Sequence, residues 1–162
     1  LHEDPANDES KEGILMSETG KEVIGVLEAY KEAVFRKDIR AYVALYAEEA
    51  QVFDMWGPPW IYKDKDTWLE AARSWFDGLG DERVLVEMEN IQIEQASEMA
   101  FVSAFIKYTA VSSEGKTLRW LENRLSCVLV PINGGWRIIH QHTSAPIDHT
   151  CLKAYLRRDR EN

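Results

Sequence analysis

Positive charge is what this chain has too little of. Its 19 Lys and Arg face 28 Asp and Glu, leaving a formal net charge of −9. A chain without a basic surface to displace phosphate counterions is not expected to bind nucleic acid, or to dock on an anionic membrane. Long apolar runs are missing as well: no stretch approaches the roughly 20 residues that a membrane-spanning helix needs. Cysteine is scarce. Cys127 and Cys151 form neither a metal-ligand spacing nor a disulfide framework. Two reduced thiols in a cytoplasmic protein is the expectation, with secretion after signal cleavage as the alternative. The chain carries no secretory-signal pattern at its start and begins with Leu1 rather than Met, as either an expressed fragment or a processed product does.

What is present is enough for a core. The chain has 162 residues, 45% of them hydrophobic, the size and composition of one ordinary domain. Residues 1–16 are acidic and aperiodic and read as a flexible tail. Thr19 and Glu22 have the spacing of a capping box, followed by Val23, Val26, Leu27, Tyr30 and Val34 at helical intervals to about Lys37. Asp38 can cap a second, short helix from Ile39 to Ala47. Gln51 to Asp54 reads as a short strand, and Gly57-Pro58-Pro59 as a turn. Trp68, Leu69, Ala72, Trp75, Phe76 and Leu79 mark the apolar face of a third helix, ended by Gly78 and Gly80.

The hydrophobic period then changes to two. Val84–Glu94, Ala100–Ser112, Leu118–Val130 and Trp136–Ser144 alternate as long strands joined by short turns, which is an antiparallel meander. Helices first and a curled sheet second make an α+β fold: a cone whose sheet wraps the three helices, with a pocket at its open end. The domain is expected over residues 17–147, and residues 148–162 form a short basic helix or a tail.

Two residues stand out for chemistry. Tyr30 lies on the apolar stripe of the first helix, and Asp54 follows twenty-four residues later among Phe53, Met55 and Trp56. Desolvation disfavours the charged form of such an aspartate and raises its pKa, which suits a general base near neutral pH. The alternative is a carboxylate that caps the next turn or pairs with an arginine. A phenol on a core-facing stripe needs a partner for its hydroxyl, whether Asp54, backbone, water or a ligand.

Trp56 and Trp60 flank the Gly-Pro-Pro turn and are candidates for lining the pocket; Trp68 and Trp75 read as core. Arg124 alternates with Trp120, Glu122 and Ser126 onto one strand face. Either Arg124 and Glu122 lie on the outer face, paired with each other or with neighbouring Lys107 and Glu side chains, or Arg124 points inward to bind an anion. His140 and His142 share a face with Trp136, Ile138 and Ser144 if the alternation runs unbroken; a bulge would swap that face. They are candidate ligand contacts, with hydrogen bonding within the sheet or at a subunit contact as the alternative. With no third ligand nearby, no metal site is expected.

The segment Tyr46-Ala-Glu-Glu-Ala-Gln-Val-Phe-Asp54, followed by Gly57-Pro58-Pro59, resembles the part of ketosteroid isomerase that carries its general base. The stretch Trp136-Arg-Ile138-Ile-His140-Gln-His142-Thr-Ser144 is similar to the last strand of SnoaL-like proteins and of the calcium/calmodulin-dependent protein kinase II association domain. Together they identify residues 20 to 147 with the NTF2-like superfamily, of cystatin-like fold. The resemblance implies that Asp54 is the base and Tyr30 the oxyanion donor. It also implies that the second acid of the isomerase is absent, because the matching stretch reads Ser126-Cys127-Val128.

Two functions follow. One is a cofactor-free enzyme of the isomerase, cyclase or hydrolase type acting on a small apolar or carboxylate-bearing molecule. The other is a non-catalytic module that binds a ligand or assembles as a homodimer through the sheet face.

Overall fold

A computed structural model describes residues 17–158; the acidic segment 1–16 lies outside them. Among these residues three helices cover a five-stranded sheet, whose first strand lies between the second and third helices. The elements are α1 (Glu18–Arg36), α2 (Ile39–Val43), β1 (Tyr46–Phe53), α3 (Lys65–Gly78), β2 (Arg83–Ala96), β3 (Met99–Val111), β4 (Thr117–Ile132) and β5 (Gly135–Ser144).

Each helix starts on a side-chain cap. Ser17 caps α1, its hydroxyl accepting from Gly20 N at 3.0 Å. The capping box expected at Thr19 does not form, because the helix begins one residue before Thr19. Glu22 instead accepts a hydrogen bond from Trp136 Nε1 at 2.9 Å, tying α1 to β5. Asp38 caps α2 as expected, but the helix stops at Val43 rather than running to Ala47. Backbone pairing takes over there: Ile138 N donates to Leu45 O at 2.8 Å, which draws residues 46–53 into the sheet as a longer strand than the expected one. Asp64 caps α3, whose Trp68, Ala72 and Phe76 are buried on one stripe.

The sheet order is β1-β5-β4-β3-β2. The four long strands form the expected antiparallel meander, and β1 adds at the edge, parallel to β5. The β4–β5 turn places Asn133 and Gly134 at φ 51° and 77°, the pair of positive values that a tight I′ hairpin needs. Inward residues such as Ala100, Val102, Ile106, Leu125, Cys127, Leu129 and Ile138 meet Val23, Leu27, Val34 and Phe76 of the helices in one core.

One irregularity decides what enters that core. Leu129 pairs with Ile138 but Val128 pairs with His140, so Ile139 is an extra residue in β5. Trp136 and Ile138 are buried before this bulge, and Gln141 and Thr143 are buried after it. The inward face has shifted by one residue.

The described part of the C-terminus, to Arg158, is irregular rather than a helix. It doubles back after β5: Tyr155 N donates to Pro146 O at 2.8 Å, and Leu156 O accepts from Glu122 N at 2.7 Å. Arg158 then hydrogen-bonds the buried Glu122 through its backbone N at 2.7 Å and through Nη2 at 3.1 Å, and reaches Glu89 at 2.6 Å. Its guanidinium lies over Phe105, and that of Arg157 over Trp120. Residues 155–158 thus cover part of the outer sheet face. Among the described residues no helix is long and apolar enough to cross a membrane.

Candidate functional site

A cavity of about 560 Å³ lies between the helices and the concave side of the sheet, within the usual range for ligand sites. Helix α1 supplies Tyr30, α2 Tyr42 and α3 Trp68 and Trp75; β3 supplies Tyr108; Asp54 stands at the end of β1. Asn123, Gln141 and Thr143 complete the wall from β4 and β5.

Asp54 and Tyr30 therefore line one cavity, but they are not partnered with each other. Asp54 Oδ1 accepts from Thr143 Oγ1 at 2.8 Å. The same Thr143 oxygen accepts from Met55 N at 3.0 Å, fixing the hydroxyl between two partners. Burial pushes the Asp54 carboxyl above its ordinary value, while the Thr143 hydroxyl and the backbone N–H groups of Met55 and Trp56 act against that rise.

Tyr30 pairs instead with Tyr108, their hydroxyl oxygens 2.8 Å apart. Tyr46 donates to Gln141 Oε1 at 2.7 Å and lies 3.3 Å from the Tyr42 oxygen. Burial pushes all four phenols well above the ordinary tyrosine range, so each stays neutral and keeps its proton for hydrogen bonding. The Asp54 charge raises Tyr108 and Tyr62 further, placing both phenols within its field. The wall thus offers one desolvated carboxylate, a pair of neutral hydroxyls and several aromatic faces.

The remaining candidates divide. Trp56 lines the cavity and is half exposed at its mouth. Trp60 does not line it: the Pro58-Pro59 turn carries its ring outward, where it is 95% exposed. Arg124 lies on the outer face and donates from Nε to Ser144 Oγ at 3.1 Å. Strand alternation sends its neighbours Asn123 and Leu125 inward and so excludes Arg124 from the cavity. His140 and His142 also face outward, against the edges of the Phe53 ring, because the bulge at Ile139 breaks their alternation with Ile138. Arg119 reaches the cavity mouth, where both its terminal nitrogens bind Glu82, at 3.1 and 2.6 Å. Among the described residues no group of three His, Cys, Asp or Glu side chains could hold a metal ion.

Sequence reasoning missed Tyr108, Thr143 and Gln141. Tyr108 was within reach, since it continues the inward series Ala100, Val102, Ala104 and Ile106. The other two lie beyond the bulge, which strict alternation does not reveal.

Residues 23–148 match the family model of the SnoaL-like domain. No curated protein matches the chain. Among solved structures, it is similar to an NTF2-like protein of unknown function from Pseudomonas putida, at 22% identity and a TM-score of 0.76, covering 90% of this chain and 100% of that one. It is also similar to a nuclear transport factor 2 (NTF2-like) superfamily protein from Salmonella enterica, at 20% identity and a TM-score of 0.66, covering 83% and 96%. A protein of cystatin-like fold from Nostoc punctiforme gives 18% identity and a TM-score of 0.63, covering 79% and 92%. These structural likenesses establish the fold. With the family match and the helix-covered sheet just described, the chain belongs to the SnoaL-like domain family and has the NTF2-like, cystatin-like fold.

Proposed function

We propose that this protein binds a small, largely apolar carbonyl compound in the cavity and acts on it without a cofactor, with Asp54 as general base. The observation that carries the reading is the placement of a desolvated carboxylate in the same wall as the hydrogen-bonded Tyr30–Tyr108 pair. In the proposed step Asp54 removes a proton next to the carbonyl, or activates water. Tyr30 or Tyr108 donates to the oxygen on which negative charge develops. Two neutral phenols take the part that Tyr30 and a protonated aspartate would share in an isomerase-type site.

The lining refines the ligand class. Its one guanidinium, Arg119, is occupied by Glu82, and Asp54 repels anions. Neutral, flat molecules are favoured over the carboxylate-bearing ligands that an inward Arg124 would have served. Asp54→Asn should keep the fold by circular dichroism and abolish turnover of a neutral aryl ketone that the wild type accepts; unchanged turnover sinks the reading.

A second reading, a ligand-binding or assembly module, is supported by the outer sheet face. Phe53, Met99 and Phe101 are exposed there, a surface that a second copy of the chain can cover as a homodimer. Light scattering that finds a monomer at micromolar concentration argues against this reading. A cytoplasmic setting suits the free thiols of buried Cys127 and exposed Cys151.

A further inference from the structure

We propose that Thr143 is the positioning residue of the site: its hydroxyl anchors Asp54 through Oδ1 and holds the carboxylate in the cavity wall as the base. The inference rests on the reading of Asp54 as a base and goes beyond it, because Thr143 need not touch the substrate.

A threonine hydroxyl has one proton to give. Met55 N–H points at the Thr143 oxygen from 3.0 Å, and a backbone N–H only donates, so the oxygen accepts there. The hydroxyl proton is then free to go to Asp54 Oδ1 at 2.8 Å. Because Met55 follows Asp54 directly in the chain, the two bonds clamp the aspartate side chain and its own backbone to a single point on β5. Thr143 is buried, so water does not compete for that hydroxyl. A bond from a neutral hydroxyl to a carboxylate is charge-assisted, so it favours the ionised form that a general base needs.

The bulge at Ile139 is what makes the clamp. In unbroken alternation with Trp136 and Ile138, position 143 would point outward and His142 inward. The extra residue turns Thr143 into the wall and His142 out to Phe53.

The other titratable groups around Asp54 do not share the task. Tyr62 from the loop before α3, Tyr108 from β3 and Tyr30 from α1 are all raised above the ordinary tyrosine range and stay neutral at working pH. Arg119 at the mouth is bound to Glu82. The Thr143 hydroxyl is the largest of the influences that favour the ionised carboxylate against burial.

The test is a carbon-13 NMR titration of the Asp54 carboxyl in wild type, Thr143→Val and Thr143→Ser, with thermal melts to confirm that each variant folds. Thr143→Val should raise the Asp54 pKa by about one pH unit or more, the order expected for a lost hydrogen bond to a charged group. Thr143→Ser, which keeps the hydroxyl, should titrate close to wild type. A folded Thr143→Val that titrates with wild type overturns the proposal, as does a Thr143→Ser raised as far as Thr143→Val. The readout needs no substrate. A shifted titration together with an Asp54→Asn variant that still turns over would refute the base assignment while leaving the clamp in place.

Discussion

The phenolic oxygens of Tyr30 and Tyr108 lie 2.8 Å apart, one carried by the first helix and the other by the third strand, 78 residues later. This bond joins the two layers of the fold inside the cavity. It is also where the proposed chemistry and the stability of the cone depend on the same atoms.

Tyr108→Phe should therefore cost stability as well as affinity. It removes the Tyr30 partner without opening a large cavity. A loss of about 1–2 kcal/mol is expected, the usual range when a buried hydroxyl loses its bond. Urea denaturation measures it. An unchanged midpoint with an unchanged slope would mean that the hydroxyl pair contributes nothing to folding.

Asp54 should work against stability when ionised. Burial raises its carboxyl above the ordinary value, so the folded chain holds that proton more tightly than the unfolded chain. The unfolded state binds fewer protons between the two pKa values, so stability falls as pH rises through the folded-state value. Asp54→Asn cannot ionise, and its amide oxygen can still accept from Thr143. Its Tm should exceed that of wild type at about pH 7, and the difference should vanish at about pH 3, below the free aspartate value. A variant less stable than wild type at neutral pH would contradict the desolvation argument.

Arg158 should hold residues 155–158 on the sheet. Its backbone N and Nη2 both donate to the buried Glu122. Arg158→Ala removes the side-chain bond and the contact with Phe105 while leaving the backbone bond. The expected cost is about 1.5–3 kcal/mol, typical of a hydrogen bond to a charged group. Amide exchange should rise at Glu122, whose N–H donates to Leu156 O, and at Tyr155, whose N–H donates to Pro146 O, in the same variant. Unaltered exchange there would refute the latch.

The inside–outside division predicts a pattern of binding. For any ligand that quenches tryptophan fluorescence, Trp60→Ala, Arg124→Ala, His140→Ala and His142→Ala should leave Kd within about twofold, less than the loss of one ordinary contact. Trp56→Ala should weaken binding by about tenfold, since its ring lines the mouth. Loss of affinity in Arg124→Ala would place the ligand on the outer face.

Most of the frame was legible in the sequence because period and punctuation agree along it. The change from helical spacing at Trp68, Ala72 and Phe76 to strict alternation from Val84 onward marks the boundary between helices and sheet, and Asn133-Gly134 marks the last hairpin. Tyr30 could be placed because it sits in an uninterrupted helix, and Asp54 because it directly follows the last residue of β1. Three features were hidden for physical reasons. One extra residue at Ile139 reverses the faces of β5, yet leaves a pattern that reads as regular. The parallel pairing of β1 with β5 joins segments about 90 residues apart, beyond what local pattern encodes. The partner of Tyr30 came from a different layer, and its identity depends on packing rather than spacing.

The central claim is that Asp54 takes a proton from a carbonyl compound held in the cavity. It is tested most directly by incubating the protein in deuterated water with neutral, enolisable aryl ketones such as 2-tetralone and following loss of the α-proton signal by NMR. Wild type should exchange the α-protons well above the buffer rate, and Asp54→Asn should return that rate to background. Exchange at equal rates in the two proteins, or no exchange by wild type of any ketone that binds, would contradict the account.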